Sequence, residues 1–407
     1  MVKNLNILYH FRVRGIGAEG VHIAGIANGF QALGHEVAFV SPTDTDPISN
    51  INKKFLYNAS QKTKVLHFLA DHAPQVCFEC IELLYNVIGI SKLKNQIHKT
   101  EFGFIYERYA FYNIAGALMS KKYNIPLIVE VNELSGHERV RGQIMVPLAK
   151  KIEKLIFNQA TLILVVSDFL KEHIAKMINS DRKILVIPNG VSREWVETEI
   201  PQSEIKGLQE RLNITGKKVI GFVGGLDHWH SFDFLLELIG ELKRNFSDIV
   251  LLIVGDGPLR EYILSTADKL GLHDSIIITG IVPHEEVPKY ISLFDIAIIP
   301  HSNEFRSPIK LFEYMAAGKA VVAPATIPIK SVIKDRINGA IFKLGIKEDA
   351  LETINNLFIN NQLREDIGKN AKNTIRDNYL WEKHSLNIVN ELRRIALEDF
   401  EYPTPEV

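Results

Sequence analysis

The chain of 407 residues is 46% hydrophobic and 23% charged, enough apolar material for two packed cores, which excludes a disordered or fibrous protein. Lys and Arg number 47 against 48 Asp and Glu, a formal charge of -1. Binding to a phosphate backbone needs an excess of cations, so nucleic acid is not an expected partner. Cys77 and Cys80 are the only cysteines, too few for a disulfide framework, and a reducing, cytoplasmic setting is expected.

The run Leu5 to Phe11 contains polar residues and is followed by no small-residue cleavage pattern, so it reads as a first strand and not as a leader. LNILYHF, VHIAGIANGFQALG and EVAFVSP then make a βαβ opening. Further buried-strand patterns are FGFIYE (102 to 107), PLIVEVN (126 to 132), TLILVVS (161 to 167) and ILVIPNG (184 to 190). A second series follows: KVIGFVGG (218 to 225), DIVLLIVGDG (248 to 257), SIIITGIV (275 to 282), DIAIIPH (295 to 301) and AVVAP (320 to 324). Short apolar strands alternating with helical stretches predict parallel sheets covered on both faces.

Ser192 to Thr215, rich in Glu and without a long apolar run, separates the two series. The expected domains are therefore 1–195 and 196–380, with helices from Asp349 and a closing helix from about 381 that packs back on the first domain. The fold class is α/β, two Rossmann-like halves whose strand carboxyl ends face across a cleft, where ligands of open sheets bind. No window reaches about 18 apolar residues without charges, so no membrane-spanning helix is expected.

The most informative segment is HSNEFRSPIKLFEYMAAGKAVVAP. Strand DIAIIP runs into a loop, and Ser307 and Pro308 then suit a helix start as N-cap and first-turn residue. Such an end offers free N–H groups and a positive dipole to a phosphate. Lys310 adds a cation there, unfavourable to the dipole unless an anion is bound. Glu313 follows one turn later on the same side, where a carboxylate can accept two hydrogen bonds from a vicinal diol such as a ribose.

With these residues in place, the chain resembles the family 4 glycosyltransferases, a retaining group with the GT-B fold. It is most similar to a bacterial subgroup with the signature SPxKLFEYMAAGKPVVA, here SPIKLFEYMAAGKAVVA. GAEGVHIAGIANGFQALGHEVAFV, YERYAFYNIAG, PLIVEVNE, ILVIPNGV, GFVGGLDHWHSFDFLLE, LLIVGDGPLRE and Trp381 after Tyr379 extend the match over nearly the whole chain. The resemblance implies transfer of a sugar from a nucleotide-diphosphate sugar to an acceptor hydroxyl with retention, without metal or cofactor. The implied acceptor is a saccharide, a lipid-linked saccharide or a small molecule, in polysaccharide or glycoconjugate synthesis.

By position, the resemblance makes Glu313 the ribose ligand and sets Ser307, Pro308, Ile309 and Lys310 against the donor diphosphate, with Leu311 also on the donor side. Val282 matches the backbone position that meets the base, and Gly17 a first-domain loop that approaches phosphate and sugar. The departures are as specific. Phe305 stands where the family's other motif glutamate belongs, with Glu304 one residue away. Gly225 and His230 replace the usual Arg and Lys at the phosphates, and Asn132 replaces a first-domain histidine near the acceptor. The expected catalytic set is Lys310, His230 and Asn132, with His230 as a phosphate donor.

Other patterns compete with these assignments. Gly15 to Gly20 matches GxGxxG, but Phe11 to Arg14 separate it from the strand, and Asp44 falls outside the position of a ribose-binding acid. Cys77 and Cys80 share a helix face with no second pair, so they read as core and not as zinc ligands. Asp44-Thr45-Asp46 reads as a solvated loop, and His228 with His230 as a poor metal pair. Arg139, Arg141, Lys150, Lys151 and Lys154 interleave with Ile144, Leu148, Ile152 and Leu155. That pattern fits equally a peripheral contact with anionic lipid at the inner membrane face and a helix packed on its own domain. Two further readings share the sequence: an epimerase or hydrolase on the same fold, and an inactive binding subunit, for which Phe305, Gly225 and Asn132 speak.

Overall fold

The computed structural model describes residues 4–13, 17–51, 74–137 and 142–401. The chain divides into two compact units, Met1–Pro188 with Glu382–Val407, and Asn189–Trp381.

The first unit holds six strands, β1 (Asn6–His10), β2 (Glu36–Val40), β3 (Phe104–Arg108), β4 (Leu127–Val131), β5 (Leu162–Val165) and β6 (Ile184–Val186). They form one parallel sheet in the order β2-β1-β3-β4-β5-β6. Ile7, Leu8, Phe104, Ile105, Leu127, Ile128 and Leu162 are fully buried, as a sheet covered on both faces requires. Trp381–Glu401 is a helix whose Ser385 hydroxyl donates to the Ile26 carbonyl at 3.2 Å, within this unit.

The helix Gln75–Ile97 reverses the usual polarity. It buries Glu79, Glu82, Tyr85, Gly89 and Leu93 and exposes Ile81, Leu84 and Val87. Glu79 explains the inversion, because its carboxylate accepts from the Tyr112 hydroxyl at 2.6 Å and from the amides of Ile144 and Met145 at 2.6 and 2.8 Å. Burial raises the Glu79 pKa, but these hydrogen bonds outweigh it and hold the carboxyl below its usual range. With that face turned inward, Cys77 and Cys80 are exposed and not core residues.

The second unit holds β7 (Lys218–Val223), β8 (Ile249–Val254), β9 (Ile276–Ile278), β10 (Ile296–Ile298), β11 (Ala320–Pro324) and β12 (Ala340–Phe342). Their order is β12-β11-β10-β7-β8-β9, again all parallel. The edge strand β12 is only three residues long and shows no pattern in sequence. The domain boundary lies at Pro188–Asn189 and not at 195–196. The Val191 amide donates to the Tyr379 carbonyl, its own carbonyl accepts from Trp381, and Val196 joins the second core. The Glu-rich composition marks a solvated helix, Gln202–Arg211, on this unit and not the linker itself.

Gly221 lies in β7 where a Cβ would come within 2.1 Å of the Phe294 ring. Gly221→Ala is therefore expected to destabilise the second unit by about 2 kcal/mol through overpacking. Urea unfolding of the whole chain checks this; a transition unchanged from wild type would show that the ring moves aside freely.

Candidate active site

In the second sheet β7 pairs with β8 on one side and β10 on the other, so the connection reverses direction between β7 and β10. Ligands of open parallel sheets bind beyond the carboxyl ends of strands at such a switch point. Two segments leave this edge: Gly224-Gly225 after β7, and the loop from Ile299 that leads into the helix Ile309–Ala316. Gly224 has φ 141, and a Cβ there would stand 2.7 Å from Lys310 Nζ. Glycine thus leaves room for the ammonium beside the strand end.

Lys310 Nζ is buried and makes no hydrogen bond. It lies 3.9 Å from the centroid of the Phe222 ring, a cation–π contact that replaces only part of a water shell. Burial lowers its pKa to about 7, with the charges of Glu313 and Asp227 opposing the shift. His230 packs edge-on against the same ring at 5.1 Å. Burial, then Lys310 and His301, push the His230 pKa down to about 2, so the imidazole is neutral.

Ser307 is not the helix cap. Pro308 occupies that position, and the helix Ile309–Ala316 has no side-chain cap. The Ser307 hydroxyl accepts instead from the Asn189 amide at 3.1 Å, and the Ser307 carbonyl accepts from the Asn189 side chain. Leu311 is fully buried in the core, and Val282 packs partly buried on the same core. A Cβ at Gly225 would stand 2.5 Å from Asp227 Oδ2, so this position serves close packing of the loop.

Glu313 is 7% exposed and accepts a hydrogen bond from His284 Nε2 at 3.1 Å. Trp195 lies 5.2 Å from the His284 ring. Burial lowers the His284 pKa, but the hydrogen bond and charge of Glu313, with Glu285, raise it overall. Phe305 is buried, and the neighbouring Glu304 carboxylate accepts from the Ile327 amide at 2.8 Å.

The first unit carries a second polar cluster at its own switch point, the carboxyl ends of β1, β3 and β4. Buried Glu130 Oε1 meets His22 Nε2 at 2.9 Å, Arg108 at 2.5 Å and the Asn132 amide at 2.5 Å, while its Oε2 accepts from Tyr106 at 2.8 Å. Burial disfavours the Glu130 charge, yet His22, Arg108 and Asn132 together hold it well below the carboxylate range. Asn132 is thereby oriented through Glu130. Gly17, with φ 63, opens the helix Gly17–Ala32 and has open space where a Cβ would project. Gly15, Arg139 and Arg141 lie outside the described residues.

Asp44 pairs with Lys92 at 2.7 Å, and Asp46 accepts from the Ile48 amide at 2.9 Å, so both belong to a surface turn. Among the described residues no group of His, Cys, Asp or Glu could hold a metal ion, and no helix is long and apolar enough to cross a membrane. The helix Val146–Gln159 packs Ala149, Ile156 and Phe157 inward and exposes Leu148, Lys151, Lys154 and Leu155.

Residues 19–195 match the model of Glycosyltransferase Family 4, and residues 205–374 match that of Glycosyl transferases group 1. The chain is a glycosyltransferase. Among curated relatives, an uncharacterized glycosyltransferase of Methanocaldococcus jannaschii is 27% identical over 70% of this chain and 74% of its own. An alpha-D-kanosaminyltransferase of Streptomyces kanamyceticus is 25% identical over 62% of this chain and 67% of its own. Anabaena HepE, solved in complex with UDP, superposes with a TM-score of 0.69 at 16% identity, covering 96% of this chain and all of that one. That likeness shows the GT-B fold.

Within this glycosyltransferase, sequence reasoning missed His284, Trp195 and the Glu130 cluster. His284 lies two residues after Val282 in TGIVPHEEV, and its only signal is that position. Because its pKa is raised by Glu313, the charged pair stabilises the fold fully below the ordinary value near 6.5, and the stabilisation is lost as pH rises through the raised value. His284→Gln is expected to cost about 1 kcal/mol at pH 5.5, less at pH 9. Thermal or urea unfolding across that range checks it, and a difference independent of pH would refute the charged pair.

Proposed function

We propose that this glycosyltransferase moves a sugar from a nucleotide-diphosphate donor to an acceptor hydroxyl with retention of configuration, using no metal ion. The observation that carries the reading is Lys310 Nζ, buried without a hydrogen bond beside an uncapped helix start at the switch point of the second sheet. A buried cation without an anion is costly, and a diphosphate supplies the anion. Ile309 and Lys310 amides add N–H donors, Glu313 receives the ribose hydroxyls, and the Val282 backbone meets the base.

In the reaction the bond from the anomeric carbon to the β-phosphate oxygen breaks and a bond to the acceptor oxygen forms on the same face. The acceptor proton passes to the departing phosphate oxygen, so no protein base is required. Negative charge grows on that phosphate, where fixed donors lower the barrier most. His230 acts as a neutral hydrogen-bond partner. Gly17 and Asn132 are assigned to the sugar and acceptor, and Glu130 orients Asn132. UDP in the HepE structure favours uridine donors as first probes. Synthesis of polysaccharide or another glycoconjugate, on the cytoplasmic side and at the inner face of the membrane for a lipid-linked acceptor, is the corresponding setting.

A non-catalytic nucleotide-binding subunit is the competing reading, favoured by Phe305 and by the engagement of Glu304 with Ile327. Thermal shift against UDP, GDP, ADP and their sugar conjugates tests the donor site, since a ligand at about 100 times its Kd stabilises by about 2.7 kcal/mol. One nucleotide class should stabilise wild type and fail with Glu313→Ala; stabilisation of both alike would remove Glu313 from the site. Turnover should fall by at least about 100-fold in Lys310→Ala. Unchanged turnover would exclude the leaving-group role, and binding without turnover in wild type would favour the non-catalytic subunit.

A further inference from the structure

We propose that donor binding takes up a proton at Lys310: above neutral pH the side chain is mainly a neutral amine in the free protein and becomes an ammonium against the donor's diphosphate. The inference rests on the donor site proposed above and adds a thermodynamic linkage to it.

The geometry supplies the reason. Nζ is buried, makes no hydrogen bond, and has the Phe222 ring at 3.9 Å and the Gly224 backbone as its surroundings. An ammonium has three N–H donors to satisfy, whereas a neutral amine has two and is far less costly to desolvate. Every titratable group around it leaves this balance in place. On the segment after β7, Asp227 attracts the charge, but burial raises the Asp227 pKa. His230, from the same segment, is neutral, and His301 beyond β10 acts on His230. On the lysine's own helix Glu313 attracts the charge, but its carboxylate is engaged by His284. The net result is a lysine pKa lowered to about 7.

A diphosphate at this helix start changes the balance, because two phosphate charges within hydrogen-bond distance favour the ammonium strongly. The proton comes from solvent and goes to Nζ, and it leaves again when the nucleotide departs. Above about pH 7 the free enzyme thus carries little uncompensated charge at Lys310, and the cation that meets the leaving phosphate forms with the complex. Affinity for donor falls as pH rises above the free-state value, approaching tenfold per pH unit above about 7.

The test is calorimetric titration of the full chain with UDP-glucose and with GDP-mannose. Their diphosphates are diesters and do not themselves titrate near neutrality. Buffers of different ionisation enthalpy, none of them phosphate, report the protons taken up. Wild type should take up about 0.9 proton per donor at pH 8 and about 0.1 at pH 6. Lys310→Arg keeps its charge at every pH and should bind with no uptake at pH 8. Lys310→Met should bind weakly, also with none.

Wild-type binding without uptake at pH 8 would overturn the proposal while leaving the donor site intact. Uptake that persists in Lys310→Arg or Lys310→Met would assign the proton to His230, His284 or Asp227 and overturn it equally. If neither nucleotide sugar binds, the donor reading fails first, and the linkage with it. Should Lys310→Arg not fold, the Met variant and the wild-type affinity at pH 6, 7, 8 and 9 decide the matter, a flat profile being the refuting result.

Discussion

A parallel sheet buried on both faces has no room for polar chemistry along its length, and that constraint organises both units of this glycosyltransferase. Backbone groups inside each sheet are paired, and side chains such as Ile7, Leu127, Leu251 and Ile296 are fully buried. Chemistry is confined to the strand ends, and the free crevice lies where the connection changes direction. In the second unit that point is the gap between β7 and β10, where Gly224 makes space and the helix Ile309–Ala316 delivers Lys310 and Glu313. The first unit uses the corresponding point, the ends of β1, β3 and β4, for the network centred on Glu130.

The two clusters handle buried charge in opposite ways. Glu130 is surrounded by donors, Arg108, His22, Tyr106 and Asn132, and stays ionised because both of its oxygens have partners. Within this network the Asn132 side chain is held by its hydrogen bond to Glu130. Lys310 has an aromatic face and no hydrogen bond, so its charge depends on a partner that the protein does not provide. A satisfied network holds its members in place, whereas a buried amine without a partner is costly to charge. Between these extremes, His284 occupies one oxygen of Glu313 and leaves the other without that partner.

Several departures from the family pattern acquire a physical meaning in this arrangement. Phe305 is buried, and its neighbour Glu304 accepts from the Ile327 amide, so packing and a backbone hydrogen bond hold this loop. A Cβ at Gly225 would crowd the Asp227 carboxylate at 2.5 Å and require that side chain to shift. His230, packed on Phe222 and neutral, cannot supply the positive charge that an Arg or Lys would. Lys310 is then the basic side chain nearest this strand end, beside the uncapped start of the helix Ile309–Ala316.

The sequence alone determined the strand series, the α/β class and the SPIKLFEYMAAGK segment, because apolar period and local motif are properties of neighbouring residues. It also placed Lys310 and Glu313 one turn apart, a fact of helical spacing. Tertiary structure alone decided what those residues meet. That Ser307 binds Asn189 and does not cap the helix, that Leu311 faces the core, and that His284 holds Glu313 all depend on chain segments far apart in sequence. The inverted helix Gln75–Ile97 makes the same point, since Glu79 turns inward only because the amides of Ile144 and Met145 await it. The boundary at Pro188 likewise follows from Val191 pairing beside Leu380. Hydrogen-bond partners and desolvation are set by three-dimensional proximity, and no local pattern encodes them.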